Sequence, residues 1–210
     1  MKYFTHQRSE MCSFIPEQYS HVLEIGCARG QFRLNLPKPC EYWGVELNSM
    51  AAKEASKVLD TVLNDSFEKI RDDLPNNYFD LIICNDIIEH IDDYVHFLET
   101  IKLKLSTTGK LIGSVPNVRY LKHLKELLIS KDWLYKDKGI LDRTHLRFFT
   151  QKSLQRTLKD TGFKINKFKG IHSVIKRKIT FRTIKNLLQV TMLGKDTQYK
   201  QFGFEASKDI

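Results

Sequence analysis

The stretch VLEIGCARGQF, residues 22–32, decides the fold. It begins with an apolar run that predicts a buried strand, and it continues into a turn that contains Gly26 and Gly30. Small residues in such a turn let the backbone approach a ligand, and a helix after it would direct free N–H groups at that ligand. The GxGxxG fingerprint of dinucleotide-binding proteins would require glycine where this chain has Ala28 and Gln31. The spacing therefore disfavours a nicotinamide oxidoreductase.

Short apolar runs alternate with helical segments along the rest of the chain, which is typical of βαβ units and a parallel sheet. The predicted strands are 22–25, 42–47, 61–63, 79–84, 110–115, 163–168 and 199–206. Helices are predicted at 49–59, 92–105, 121–130 and 150–160. Ser49 is the expected N-cap of the first helix, and Gly109 is expected to follow the end of the second.

The length and composition indicate one globular domain. With 210 residues, 41% of them hydrophobic and 28% charged, the chain can bury one core. Its apolar runs stay well short of the roughly 20 residues that a bilayer span requires. The first ten residues lack the apolar segment of a signal peptide, so we expect a cytoplasmic protein. The four cysteines show no metal-binding spacing, and we expect them to be reduced.

The net charge of +9 is divided unevenly along the chain. Residues 1–120 carry a net charge of −4, and residues 121–210 carry +13. A basic half of this kind favours an anionic partner, such as phosphate, a nucleotide-linked sugar, nucleic acid or an anionic membrane face. A lysine-rich, solvated surface explains the same charge without a partner.

Polar side chains stand at the ends of four predicted strands. Glu24 and Gly26 mark the first strand, Glu46 the second, Asp65 the third and Asn85 the fourth. The carboxyl ends of parallel strands meet along one edge of the sheet, where open α/β sheets bind their ligands. An acid after the second strand can accept both ribose hydroxyls, and one after the third can accept from an adenine amino group. Any one of these polar residues alone would be an ordinary surface residue, but polar residues at four strand ends in this order predict a nucleoside site.

This pattern resembles the class I S-adenosylmethionine-dependent methyltransferases over about residues 20–170. The resemblance implies a doubly wound, Rossmann-like α/β sheet of strand order 3-2-1-4-5-7-6, with YKQFGFEAS as the antiparallel last strand. It implies S-adenosylmethionine as the cofactor, and Ala28, in place of the usual middle glycine, is expected only to tighten the packing on it. The implied cofactor-binding residues are Glu24, Gly26, Cys27, Gly30, Glu46, Leu47, Asp65, Ser66 and Asn85.

Together with the chain length, this resemblance leads us to expect a single methyltransferase domain over residues 1–210. It consists of an N-terminal extension at 1–19, a cofactor-binding half at 20–117 and an acceptor-side half at 118–210. The segment between the fifth strand and the 150–160 helix is long for a connection, so we expect an insertion there that contains a functional loop. That loop, at about 133–149, is predicted to be mobile until ligands bind.

Two segments of the acceptor-side half are similar to a subgroup of the family that is associated with glycosyltransferases and surface-polysaccharide assembly. They are SVPNVRYLKHLKELL, residues 114–128, and GILDRTHLRFFT, residues 139–150. The second combines an acid, two arginines, a histidine and two aromatics, which suits a polar ring. We expect Arg143 and His145 to be functional, whereas Phe148 and Phe149 are expected to pack the following helix on the sheet.

A reactive centre is predicted where the fourth strand ends. If the chain turns helical after Asp86, then Asp86, Glu89 and His90 share one face, and a histidine there can take the acceptor proton. The spacing, followed by the distant His145, also resembles the metal-binding pattern of some RNA and quinone-precursor methyltransferases. We primarily expect a site without a metal, because the side chain of aspartate is shorter than that of the glutamate in that pattern. A purely structural role, with His90 capping a turn and Glu89 paired with a lysine, also remains open. The predicted catalytic residues are His90, His145, Asp86, Glu89 and Arg143.

The resulting functional hypothesis is methyl transfer to a hydroxyl or amine of a sugar, glycan or similar small acceptor. An RNA methyltransferase is a second hypothesis, because the basic half of the chain suits phosphates. Enzymes that methylate an amino group of a base carry a proline pair and an aromatic residue after the fourth strand, and this motif does not follow Asn85. A non-catalytic subunit that binds the cofactor is a third. The basic and apolar stretch at 173–194 is expected to be either a surface helix or a peripheral contact with an anionic membrane. The oligomeric state is left open.

Overall fold

The computed structural model describes residues 7–175 and 180–209. Within these residues, seven strands form one sheet in the order β3-β2-β1-β4-β5-β7-β6, which confirms the predicted fold. Strands β3, β2, β1, β4 and β5 are parallel, and β7 runs antiparallel between β5 and β6. The strands are β1 His21–Ile25, β2 Glu41–Val45, β3 Thr61–Leu63, β4 Phe79–Asn85, β5 Leu105–Pro116, β6 Phe163–Ser173 and β7 Tyr199–Lys208.

The helices flank this sheet, and α1, α3, α5 and α6 begin at side-chain caps. Asn48, rather than the predicted Ser49, caps α1 by accepting from the Ala51 N–H, and Asp93 caps α3 by accepting from the His96 N–H. The helices are α1 Ser49–Ala55, α2 Phe67–Ile70, α3 Tyr94–Lys104, α4 Leu121–Lys125, α5 Gln151–Asp160 and α6 Phe181–Leu193. A π-helical turn, Glu126–Ser130, continues α4, and 3₁₀ turns form at Ser9–Phe14, Gln31–Asn35, Ile88–His90 and Lys195–Gln198.

The segment after β1 differs from the prediction. A helix was expected to present free N–H groups to a ligand, but the structure has only the 3₁₀ turn Gln31–Asn35. Pro37 and Pro39 follow directly, and a proline both lacks an N–H and disfavours helical backbone at the preceding residue. This segment can therefore contact a ligand through its glycine-containing turn but not through the end of a helix.

The start of β5 also differs. The structure ends α3 at Lys104 and pairs Leu105 with Phe79 at once, and the pairing then resumes between Leu81 and Lys110. The predicted turn at 107–109 thus forms an irregularity within β5. A Cβ atom at Gly109 would lie 2.7 Å from the carbonyl oxygen of Phe79, so this close strand approach needs glycine.

The N-terminal segment packs on the sheet. Met11 and Phe14 are fully buried among side chains of β1, β2 and β5, and a Cβ atom at Gly203 would meet the Phe14 ring at 2.7 Å. This packing places Arg8, just before the 3₁₀ turn, at the carboxyl ends of β4 and β5, where it donates to Ser114. Part of the predicted N-terminal extension therefore reaches the ligand-binding edge of the sheet.

The basic C-terminal stretch forms α6 from residue 181 onward, whereas its residues 176–179 lie outside the described residues. Among the residues that are described, no helix is long and apolar enough to span a bilayer.

Candidate active site

A cleft of about 880 Å³ opens at the carboxyl ends of the parallel strands. Turns after β1, β2, β3 and β4 line it, together with the segment before Met11, the 138–145 loop and the start of β7. Of the predicted cofactor-binding residues, those that line it are Glu24, Gly26, Cys27, Glu46, Leu47, Asp65, Ser66 and Asn85. Gly30 does not line the cleft: a Cβ atom there would meet Val58 at 2.7 Å, so this glycine permits the packing of the turn on the segment after α1.

The turn after β1 holds its backbone in a left-handed conformation, with φ of 71° at Gly26 and 49° at Ala28. A Cβ atom at Gly26 would lie only 2.2 Å from Ile87 Cδ1. The N–H groups of Gly26 and Cys27 both donate to the Val45 carbonyl, at 2.8 and 3.0 Å. These two groups therefore fix the turn against β2 and are not free to bond a ligand.

Glu46 is the buried acid at the end of β2. Its Oε2 accepts from the Ala28 N–H at 2.8 Å, and its Oε1 accepts from the Asn48 N–H at 2.8 Å. The two bonds orient the carboxylate in the cleft, and each oxygen keeps a second lone pair. This is the geometry needed to accept hydrogen bonds from two neighbouring hydroxyls of a ribose.

The turn after β3 contributes Asp65, Ser66 and Phe67. Asp65 accepts from the Ser66 N–H at 2.7 Å and lies 3.1 Å from the Lys69 ammonium. The Phe67 ring is buried and packs edge-on against Phe97, with centroids 4.9 Å apart. The turn presents a carboxylate to the cleft, while the Phe67 ring packs mainly in the core.

Two buried groups indicate that the cleft fits S-adenosylmethionine. Asn85 has both amide atoms buried and without a hydrogen-bond partner in the described part of the chain, which is costly unless a ligand bonds them. Burial raises the pKa of Glu24 to about 8, against the hydrogen bond from the Tyr42 hydroxyl and with the added negative charge of Glu46. A sulfonium or ammonium group nearby would favour the ionised form of Glu24.

Cys27 is a structural member of this end of the cleft. Its sulfur packs where a Cβ atom of Gly44 would lie, and burial raises the pKa of its thiol, with Glu24 and Glu46 adding to the effect. A thiol that stays protonated is a poor nucleophile, so Cys27 shapes the cleft beside the ligand and takes no covalent role.

Glu89, His90 and His145 converge at the other end of the cleft. Glu89 is 1% exposed, and neither of its carboxylate oxygens has a hydrogen-bond partner among the residues that the structure describes. The Nε2 atom of His145 lies 4.0 Å from Glu89 Oε1, and the two imidazole rings meet edge to face with centroids 4.7 Å apart. The N–H groups of Leu146 and Arg147 donate to the Glu89 carbonyl and so fix the loop that carries His145 against the turn after β4.

Backbone carbonyls orient both histidines. His90 Nδ1 lies 3.1 Å from the Thr144 carbonyl oxygen, and His145 Nδ1 lies 2.9 Å from that of Ile140. A carbonyl only accepts, so in a neutral imidazole the proton sits on Nδ1 and the lone pair on Nε2. Burial lowers the pKa of His90, and the positive charge that His145 can carry lowers it further, which favours the neutral form. Burial, together with the charge of Asp86, holds the pKa of Glu89 well above its usual range.

Asp86 does not join this cluster. Its φ is +56°, which interrupts the helical path that the prediction assumed, and the following 3₁₀ turn begins only at Ile88. The carboxylate accepts instead from Arg8 at 2.5 Å, from Ser114 at 2.8 Å and from Gln201 at 2.8 Å. The predicted shared face of Asp86, Glu89 and His90 is therefore wrong. Sequence reasoning missed Arg8 and Gln201, which lie far from Asp86 in the chain and belong to no recognisable motif.

Arg143 lies away from the cleft lining as well. It is exposed and pairs with Asp137 at 2.9 Å, whereas its neighbour Asp142 accepts from the backbone N–H and the hydroxyl of Thr144. Phe149 is buried against Tyr94, and Phe148 packs against Trp133, as expected for packing residues. The 139–150 segment contributes mainly His145, with Ile140 and Asp142, to the cleft.

The three converging side chains could also hold a divalent cation. One ligand atom from each of Glu89, His90 and His145 lies within 4.8 Å of the others. The carbonyl bonds at Nδ1 are the arrangement that commonly orients metal-binding imidazoles. Asp86, the fourth residue of the predicted alternative, is bound by Arg8 and stays outside the group.

The fold and the cleft together define a class I S-adenosylmethionine-dependent methyltransferase domain, with S-adenosylmethionine as its cofactor. A family model described as a methyltransferase domain matches residues 3–167, and the chain belongs to that family.

Individual proteins agree with this assignment. The chain is 25% identical over 157 residues to the mitochondrial ubiquinone biosynthesis O-methyltransferase of Schizosaccharomyces pombe, covering 71% of this chain and 57% of that relative. It thus spans just over half the length of that relative. A methyltransferase structure from Archaeoglobus fulgidus superposes with a TM-score of 0.71 at 20% identity, covering 95% of this chain and 92% of the other. One from Mesorhizobium loti gives a TM-score of 0.64 at 16% identity, with coverages of 94% and 95%. These two structures share the fold.

Proposed function

We propose that this protein transfers a methyl group from S-adenosylmethionine to a hydroxyl of a small acceptor. The observation that carries the proposal is the convergence of His90 and His145 with the buried, unpartnered carboxyl of Glu89 in the cleft, where His145 Nε2 lies 4.0 Å from Glu89 Oε1. A hydroxyl needs a group that takes its proton as the new bond forms, whereas an amine with its own lone pair needs less help. Of the two acceptor groups that the sequence suggested, a hydroxyl and an amine, the cluster supports the hydroxyl.

The protein's own contribution is positioning and proton transfer. Glu46 and Asp65 orient the adenosyl part of the cofactor, and Asn85 supplies buried amide groups beside it. The cofactor supplies an activated methyl group. His90 or His145 takes the acceptor proton at Nε2, and the apolar side chains of the turn after β4 keep water from the reacting atoms.

A bound divalent cation is a second candidate for part of this chemistry, favoured by the geometry of Glu89, His90 and His145. Such an ion would polarise the acceptor oxygen and lower the pKa of its hydroxyl. With or without it, the two histidines keep their place, because backbone carbonyls hold them.

Two acceptor classes have specific support. The resemblance of residues 111–155 to methyltransferases of polysaccharide assembly supports a sugar or glycan hydroxyl, and this is the acceptor that we propose. The relative from S. pombe is named for ubiquinone biosynthesis and O-methylation, which supports a phenolic hydroxyl as the second candidate. An amine, RNA and a role as a non-catalytic cofactor-binding subunit have no comparable support.

The test is transfer of labelled methyl from S-adenosylmethionine to nucleotide sugars, glycans, catechols, amines and RNA. We expect turnover with a hydroxyl acceptor and a loss of about 100-fold or more in His90→Asn and His145→Asn. His96→Asn, on the exposed side of α3, is the matched control and should keep full activity.

A chelator separates the two mechanisms. Loss of parent activity with chelator, restored by one divalent ion, would assign Glu89 and both histidines as ligands, whereas insensitivity would assign a histidine as base. Full turnover in both histidine variants would contradict the proposal. Cofactor binding without turnover on any acceptor would leave the non-catalytic subunit.

A further inference from the structure

Helix α6 turns an apolar face away from the protein. Asn186 and Val190 are its buried positions, and Lys125 of α4 lies beside the first of them. The outward positions follow at i, i+3, i+4 and i+8, which is one stripe of a helix. They are Ile184, Leu187, Leu188 and Met192, with 49%, 51%, 63% and 85% of each side chain exposed. A surface helix normally buries such a stripe, so this face is unusual for contact with water alone.

A second exposed apolar segment lies next to this stripe. The Lys125 ammonium lies 3.4 Å from Asn186 Oδ1, and Arg119 donates to the Leu193 carbonyl at 2.6 Å. Arg119, just before α4, meets the last residue of α6, whereas Lys125, the last residue of α4, meets Asn186 in the middle of α6, so the two helices run antiparallel. The π-helical turn that continues α4 therefore lies beside the start of α6, and its Leu128 and Ile129 are also exposed.

The sequence of the segment that contains α6 carries charge of one sign. Between residues 173 and 195 the sequence has no acidic residue. Its basic residues are Lys176, Arg177, Lys178, Arg182, Lys185 and Lys195. A second copy of the chain on this surface would bring two such basic segments together, which like-charge repulsion disfavours. An anionic surface would be attracted to them.

We propose that the outward stripe of α6 and the π-helical turn, Leu128, Ile129, Ile184, Leu187, Leu188 and Met192, dock on the face of an anionic phospholipid bilayer. The apolar side chains enter the boundary between headgroups and acyl chains, while the basic residues contact lipid phosphates. The chain leads from α6 through the 3₁₀ turn Lys195–Gln198 into β7, whose Lys200 and Gln201 line the cleft, so docking would bring this edge of the cleft towards the lipid surface. This inference does not depend on which acceptor is methylated.

The experiment is co-sedimentation of the full chain with vesicles of phosphatidylcholine alone and of three parts phosphatidylcholine to one part phosphatidylglycerol. The docking variant is Leu188→Glu with Met192→Glu. Its matched control is Leu34→Glu with Leu103→Glu, which adds the same charge at exposed leucines elsewhere on the protein. All four positions are exposed, so both variants should melt near the parent, which a thermal scan checks.

We expect the parent to bind the anionic vesicles, to bind the neutral ones much more weakly, and to lose affinity as salt is raised. The docking variant should bind the anionic vesicles at least tenfold more weakly than the control variant. Three outcomes would overturn the proposal: no vesicle binding by the parent, equal binding by the two variants, or a parent dimer in sedimentation velocity that only the docking variant loses. The last would assign the surface to a second copy of the chain.

Discussion

At one end of the cleft the carboxylate of Glu46 is held by two backbone N–H groups, whereas at the other end both oxygens of Glu89 are buried with no partner within the described residues. At the first end the acid is already oriented by backbone bonds in the ligand-free protein, although the amide atoms of Asn85 beside it still have no partner among the described residues. The second end is incomplete, because burying a carboxyl group without a hydrogen bond is unfavourable.

The difference separates two tasks. A site made of backbone bonds on consecutive turns provides affinity and orientation for a cofactor that every turnover uses. A cluster of buried side chains without partners is energetically unfavourable until an acceptor, a proton or an ion binds to it. Catalytic groups are expected at such a cluster. Changes at the reactive end should therefore affect turnover most, and changes at the cofactor end should affect binding and stability.

The largest effect is expected for Glu89→Gln. The amide keeps the shape of the side chain but cannot accept a proton or hold a cation in the same way, so turnover should fall by about 100-fold or more. Cofactor affinity, measured by calorimetry, should stay within about twofold. Glu99→Gln, on the exposed side of α3, is the control. Equal turnover of the two variants would remove Glu89 from the reactive end.

Glu46→Ala should mainly weaken cofactor binding. Without the carboxylate, the ribose hydroxyls lose their charged acceptor, and we expect a loss of about 1 to 3 kcal/mol in the binding free energy of S-adenosylmethionine and of its demethylated product. Calorimetry measures both. Glu54→Ala, at an exposed pair with Lys57, is the control. Unchanged affinity would show that Glu46 only fixes the turns through Ala28 and Asn48.

Most of the residues that the sequence assigned to the cofactor line the cleft, because their positions follow from chain order. Each strand of a parallel sheet ends at the same edge, so Glu46 and Asn85 could be assigned to the cleft once the strands were recognised. Gly30 was assigned to the ligand only because glycine in a turn has two explanations, and contact with Val58 proved to be the right one. Local patterns cannot distinguish these explanations.

The reactive end was predicted only in part. His90 and His145 are 55 positions apart, and their meeting depends on the 139–150 segment folding back onto the Glu89 carbonyl, which the resemblance implied and periodicity could not. Asp86 was misplaced because a left-handed residue broke the assumed helix. Its partner Arg8 comes from the N-terminal segment, where no motif signals the contact.

Gly26→Ala tests the close packing between the two ends. Gly26 and Gly139 both have positive φ, at 71° and 95°, so alanine is strained at either position. Only at Gly26 would the new Cβ atom clash, 2.2 Å from Ile87, while Gly139 faces open space. We expect Gly26→Ala to lower the free energy of unfolding by about 1 to 3 kcal/mol more than Gly139→Ala does, in urea titrations. Equal losses would mean that the turn after β4 relaxes without cost.

Glu24 is expected to make the stability of the protein depend on pH. Its pKa is about 8 in the folded protein and 4.5 as an ordinary glutamate, so between these values the folded state binds a proton that the unfolded state has released. The free energy of unfolding should therefore fall as pH rises through this window, by at most about 1.4 kcal/mol per pH unit from this group. In Glu24→Gln, which can still accept from the Tyr42 hydroxyl, this part of the slope should vanish. The raised pKa of Glu89 gives a slope of the same sign, so the informative quantity is the difference between parent and variant in urea titrations at pH 5, 6.5 and 8. Glu99→Gln should keep the parent's slope, and a Glu24→Gln slope equal to it would show that Glu24 is already ionised in the free protein.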